Sequence, residues 1–292
     1  MILPNCDSNA DAFNSVYRNA SKAALPWFAW LRGIAGILLI AYCLSPAGAH
    51  AQSPDSLIVN GKSLLSEGYN QADVGKMKQS VSLFSRVATG SPSRSAYGHY
   101  YAAFAYTRIV NIVGNKDEEQ ALDYLDAAIE HLKKAIEQDA EFADAYALLA
   151  SAYGRKMGMK PRLGMFLGPE SSKLMKKAKS IEPNNPRTVF IQATSDFFTP
   201  ETWGGSTEKA VDGFERAIEL FEQETVTDPI EPSWGHSDAH AWLGYAHMKE
   251  GRYEEAESQF ERALSINPDY GWVTDVLMPQ LNSRKESASA EG

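Results

Sequence analysis

The chain has 292 residues, 44% hydrophobic and 22% charged, the balance of an ordinary globular protein and not of a disordered one. Acids outnumber bases by 37 to 28, a formal net charge of -9. A surface built to neutralise phosphates is excluded, and nucleic acid is not an expected partner.

Residues 1–51 read differently from the rest. Lys22 and Arg32 flank Trp27 and Trp30, the apolar run Gly33–Leu44 follows, and Ala49-His50-Ala51 closes the segment. A cationic flank, about a dozen apolar residues and a small-x-small site describe a secretory signal, too short for the roughly 20 residues of a spanning helix. Cleavage after Ala51 is expected, which makes the mature chain secreted or periplasmic. The alternative is an uncleaved N-terminal anchor with both tryptophans at the membrane interface, the one case in which membrane contact is expected. Both cysteines, Cys6 and Cys43, lie in this segment. The mature chain then has no thiol for a disulfide, a thiolate metal site or a nucleophile.

Helical patterns come in pairs from there on. A weak first helix near Leu57–Glu67 precedes a stripe of Ser80, Phe84 and Val87 that stops at Pro92. The aromatic stretch Tyr97, Tyr100, Tyr101, Phe104, Tyr106 precedes Ala128, Leu132 and Ala135, and Tyr146–Tyr153 precedes Ser171, Met175, Ala178 and Pro183. A fourth stripe is Ala210, Phe214, Ala217. The fifth pair is the clearest: Ala239–Glu250, a break at Gly251, then Tyr253–Ile266 with Ala256, Phe260, Ala263 and Pro268. Small and large residues three and four apart share one helical face, and proline ends the first, third and fifth stripes, while the second and fourth lack it. A last helix is expected near Trp272–Asn282, and residues 285–292 are expected to be a disordered tail.

The segment Asp238–Tyr270, with Leu243-Gly244 in its first helix and the Ala256-Phe260-Ala263-Pro268 series in its second, resembles the tetratricopeptide repeat (TPR). His247 departs from it, standing where the family usually has tyrosine. Trp203-Gly204-Gly205, Trp234-Gly235 and Leu277-Met278-Pro279 are similar to segments of exported bacterial TPR proteins. The resemblance implies an all-α, right-handed α-solenoid over residues 52–284, with five helix pairs plus a C-terminal helix, each pair packing only on its neighbours. It also implies a scaffold or adaptor binding a protein or peptide on its concave face, with no enzymatic activity and no cofactor. The alternative is a periplasmic small-ligand or metal carrier, or an enzyme accessory protein. The oligomeric state is left open.

Successive stripes are about 48, 43, 39 and 46 residues apart, longer than the roughly 34 of an uninterrupted repeat. The excess reads as loops at Val110–Lys116, Met157–Gly168 and Thr199–Gly205, with a longer linker at Val226–Gly235. Loops inside a pair emerge on one edge of such a stack, so these should neighbour one another. Their apolar side chains make Met165, Phe166, Leu167 and Trp203 candidate partner-binding residues. Tyr245 is a further candidate, on the first helix of the last pair, where chaperone-type TPR domains carry a basic clamp. Against chemistry, His236, His240 and His247 lack the glutamate of a zinc-protease helix, Ser206 reads as a helix N-cap, and Gly204-Gly205 lacks the Lys-[ST] of a phosphate loop. No catalytic or metal-binding residue is expected.

Overall fold

The computed structural model describes residues 52–114 and 116–291. The apolar run Gly33–Leu44, the site at Ala51 and both cysteines lie outside the described residues. Eleven α-helices and no strand occur among the described residues, and no helix among them is long and apolar enough to cross a membrane. They are α1 Pro54–Asn70, α2 Val74–Gly90, α3 Ser95–Val113, α4 Glu118–Gln138, α5 Ala143–Met159, α6 Gly164–Ile181, α7 Pro186–Phe198, α8 Thr207–Gln223, α9 His236–Lys249, α10 Tyr253–Ile266 and α11 Met278–Glu291. The first ten pack as five consecutive pairs, and one π-helical turn, Val273–Leu277, leads into α11.

Local chemistry sets the helix starts. Asp73, Asp117, Asn185 and Ser206 each stand before a helix and accept a hydrogen bond from the backbone N–H three residues on, which satisfies one orphan donor of the first turn. Ser206 is thus the N-cap its sequence context suggests. Asn185 with Pro186 at the first helical position also starts α7, the one first helix that the stripes left unmarked.

The small-large-small stripes form the contacts within pairs. Ser80, Phe84, Ala128, Leu132, Ala135, Ala210, Phe214, Ala217, Ala256, Phe260 and Ala263 are all completely buried. Small residues opposite them let the helices close up: a Cβ on Gly244 would lie 2.5 Å from the Phe260 ring, and one on Gly61 would lie 2.4 Å from Phe84.

Three expectations are corrected. The extra length of the second and third pairs is mostly helix and not loop: Val110–Val113 is the last turn of α3, Met157–Met159 ends α5, and Gly164–Gly168 starts α6. Pro169 inside α6 lacks the N–H that would bond the Met165 carbonyl, so this opening turn is only weakly tied to the rest of the helix. Residues 285–291, expected to be disordered, continue α11.

The third correction concerns topology, because the first pair also packs against the fifth. Asn70 and Asn267 exchange side-chain hydrogen bonds of 3.1 and 3.0 Å. The Tyr69 and Tyr270 rings lie 6.3 Å apart, and a Cβ on Gly271 would sit 2.2 Å from the Asn70 carbonyl oxygen. Across the same junction Arg108 on α3 makes a bidentate pair with Asp238 on α9, at 2.8 and 2.7 Å. The Tyr270 hydroxyl donates to that carboxylate at 2.7 Å. The repeat unit is closed on itself, and polar groups 130 or more positions apart hold the closure.

Candidate functional site: a filled inner face and an apolar edge

The first helices of the pairs converge on the segment Glu224–Gly235, which turns once at residues 228–231. The Tyr101 hydroxyl donates to the Ile230 carbonyl at 2.8 Å, and Lys62 Nζ donates to the carbonyls of Pro229 and Glu231 at 2.8 and 2.6 Å. Trp234 stacks on Phe104 at 4.4 Å and donates its indole N–H to the Tyr100 hydroxyl at 2.8 Å. Ile230 is 1% exposed. The segment therefore lies in the inner face, held through its carbonyls by side-chain donors and by the burial of Ile230. Burial, helped by the nearby Arg187 charge, pushes the Lys62 pKa down to about 8. Arg187 itself joins Asp144 on α5 to Glu224, where the segment leaves α8. Arg155, also facing inward, donates to the Thr107 carbonyl at 3.1 Å, and burial lowers its pKa to about 10.

Sequence reading took Val226–Gly235 as a plain linker. The missed signal is the alternation of Ile230, Pro232 and Trp234, since a two-residue period marks an extended chain with one buried face. The aromatic stretch on α3 is mostly structural, as its helical spacing suggested: Tyr100, Tyr101 and Phe104 are buried, while Tyr97 and Tyr106 are half-buried.

The outer edge carries four of the five candidate residues. Met165 is 75% exposed, Phe166 68% and Trp203 74%; Leu167 is half-buried. The three intra-pair turns do neighbour one another: Met159 Cε lies 3.4 Å from a Cβ placed on Gly114, and the Trp203 ring 3.6 Å from one on Gly164. An ion pair from Lys160 to Glu118 spans the first two turns. Tyr245 is the exception. It is 5% exposed and packs among Phe197, Trp242 and Trp272, with ring centroids 5.8, 5.6 and 6.5 Å away. It seals the fourth pair to the fifth and cannot reach a partner.

His236 and His240 share a helical face, rings 5.4 Å apart, but His236 stacks on Phe221 and His240 Nδ1 meets Gln259 Oε1 at 2.7 Å. His247 is buried. No group of three metal-ligating side chains occurs among the described residues.

Burial lowers the pKa of His99, His236, His240 and His247, and that of His131 to about 4. The unfolded chain protonates its histidines near pH ~6.5, while the native rings stay neutral. Between those values the unfolded state binds more protons, so stability is full above pH ~6.5 and is lost as pH falls toward ~4. Urea midpoints measured from neutral pH down to about pH 5 should decline, and His131→Gln should flatten the decline.

Helix pairs stacked through small residues define a helical-repeat scaffold. The tetratricopeptide-repeat family profile matches residues 237–270, the fifth pair. The fold is similar to that of the HusA haemophore from Porphyromonas gingivalis, at 24% identity over 64% of this chain and 93% of that one, with a TM-score of 0.53. A thermophilic TPR protein of Thermus thermophilus is 18% identical over 79% of this chain and 99% of its own, with a TM-score of 0.49. No curated protein matches the sequence. The chain carries a tetratricopeptide repeat in its fifth pair.

Proposed function

We propose that the protein is an extracytoplasmic scaffold that docks a partner protein on its outer edge, at Met165, Phe166, Leu167 and Trp203, and not in its inner face. The observation that carries this reading is the cluster of large apolar side chains, Met165, Phe166 and Trp203, more than two-thirds exposed on one edge. Exposed apolar clusters of this kind mark contact sites. The inner face, the usual peptide site of such folds, already holds residues 224–235. Arg162, exposed one residue before Leu163 at the start of that edge, has no carboxylate partner among the described residues. The partner surface is therefore apolar with an acidic neighbour.

The triple variant Met165→Ser, Phe166→Ser, Trp203→Ser tests this in the full chain. Exposed positions that bury little change stability by less than about 0.5 kcal/mol, so its melting temperature should stay near that of the wild type while capture of the partner is lost. A variant that melts several degrees early and retains its partner would make these residues a lid on the helices and sink the reading. Export is tested separately. N-terminal sequencing of protein from the native envelope should begin at Gln52, and recovery of an intact membrane-bound chain would favour the anchor instead.

A further inference from the structure

On the second pair, away from the inner face and the apolar edge, two histidines meet. His99 on α3 and His131 on α4 place their Nδ1 atoms 2.9 Å apart, with ring centroids at 5.0 Å and ring planes inclined by 52°. One proton bridges them, which requires one ring as the Nδ1–H tautomer and the other as its acceptor. Burial lowers both pKa values, helped at His99 by the Lys134 charge and at His131 by His99 and Lys134, so both rings are neutral at pH ~7. His99 is 9% exposed and His131 half-buried, leaving the pair reachable from solvent on one side.

We infer that His99 and His131 form a cross-helix chelate for a first-row dication of tetragonal or octahedral preference, copper(II) foremost. The separation suits a cis chelate once each ring pivots off the N···N line on which the hydrogen bond holds it. With a metal–nitrogen distance of about 2.0–2.1 Å, two nitrogens 2.9 Å apart subtend about 90° at the metal. That is the cis angle of a tetragonal copper or nickel site, whereas a tetrahedral zinc would need the nitrogens about 3.3–3.4 Å apart. Binding moves the bridging Nδ1 proton to Nε2 of the same ring, so both lone pairs face the metal and no net proton is released. No third His, Cys, Asp or Glu joins the pair as a ligand group among the described residues, and water completes the coordination sphere. The neighbouring charges are Lys134, which opposes a cation, and the carboxylates of Glu130 and Glu137, which favour one. The pair His236–His240 lacks this geometry, because His240 Nδ1 is held by Gln259 and His236 is stacked on Phe221.

Copper(II) titrated into the full chain, carrying Cys6→Ser and Cys43→Ser so that thiols do not reduce it, is the test. The expected result is one equivalent bound, an axial electron paramagnetic resonance spectrum with coupling to two imidazole nitrogens, and a copper-dependent rise in melting temperature. His99→Gln and His131→Gln should each weaken binding at least tenfold, and His240→Gln should leave it unchanged. An affinity within twofold of the parent in either of the first two variants overturns the inference. The spectrum of the parent chain decides independently of whether a variant folds: at one equivalent, the absence of a two-nitrogen pattern overturns it as well.

Discussion

Asp238→Ala should cost about 3–5 kcal/mol of unfolding free energy, the loss associated with removing one partner of a buried ion pair. The Arg108 side chain is 13% exposed and that of Asp238 is 7%. Burial disfavours the guanidinium, and the adjacent carboxylate more than offsets this, holding the Arg108 pKa above its ordinary value. Without the carboxylate, the cation is left between the rings of Tyr69, Phe104 and Trp234, at 4.3, 4.9 and 5.7 Å. Those faces recover part of the loss but not all of it. The Tyr270 hydroxyl loses its acceptor too. Urea denaturation would show a lower midpoint, and hydrogen exchange should quicken at Asn70 and around Asn267, where the ends of the repeat unit meet. The double variant Arg108→Met, Asp238→Leu should recover more than half of the loss, because the penalty lies in the unpaired charge and not in the absence of the pair. A loss below about 1 kcal/mol for Asp238→Ala would mean that the closure is held elsewhere.

Trp234→Ala comes next in size, at about 3 kcal/mol, the lower end for removing a large aromatic side chain because this one is only half-buried. The substitution removes the stack on Phe104 and the T-shaped contact with Phe190 at 6.4 Å. It also leaves the hydroxyl of Tyr100, which is 0% exposed, without the indole donor. Trp234→Phe keeps an aromatic face and loses only the hydrogen bond, so about 1 kcal/mol is expected. Hydrogen exchange reads the consequence for function. In the alanine variant, residues 224–235 should exchange quickly while the α9–α10 core stays protected. If Trp234→Ala instead changes stability by less than about 0.5 kcal/mol, the segment is loosely seated, the inner face is open to an extended peptide, and confining the partner to the outer edge is wrong.

Much of the scaffold is legible in the sequence. Ala256, Phe260 and Ala263, and the matching triads upstream, announce helices because residues three and four apart share a face. Ser206 announces a start because a short oxygen-bearing side chain caps the free N–H groups. The loops were less legible. Met165-Phe166-Leu167 sits between Gly164 and Gly168 and reads as a break, yet the backbone continues as helix because a glycine costs only about 1 kcal/mol there and neighbouring pairs supply more. Tyr245 shows the same limit: its helical position was right, and its exposure depended on Trp272, which arrives from beyond α10.

The sequence by itself determined the number of pairs, their register and the residues buried inside each. These depend on interactions within one or two helical turns, whose spacing is fixed by the helix itself. Only the tertiary structure decided that Arg108 meets Asp238, that Asn70 meets Asn267, that residues 224–235 fill the inner face, and that His99 faces His131. All but the last, which lies within the second pair, depend on the small rotation between successive pairs, summed over the stack. Angles of that kind are set by how whole helices pack, and no short-range pattern of residues encodes their sum.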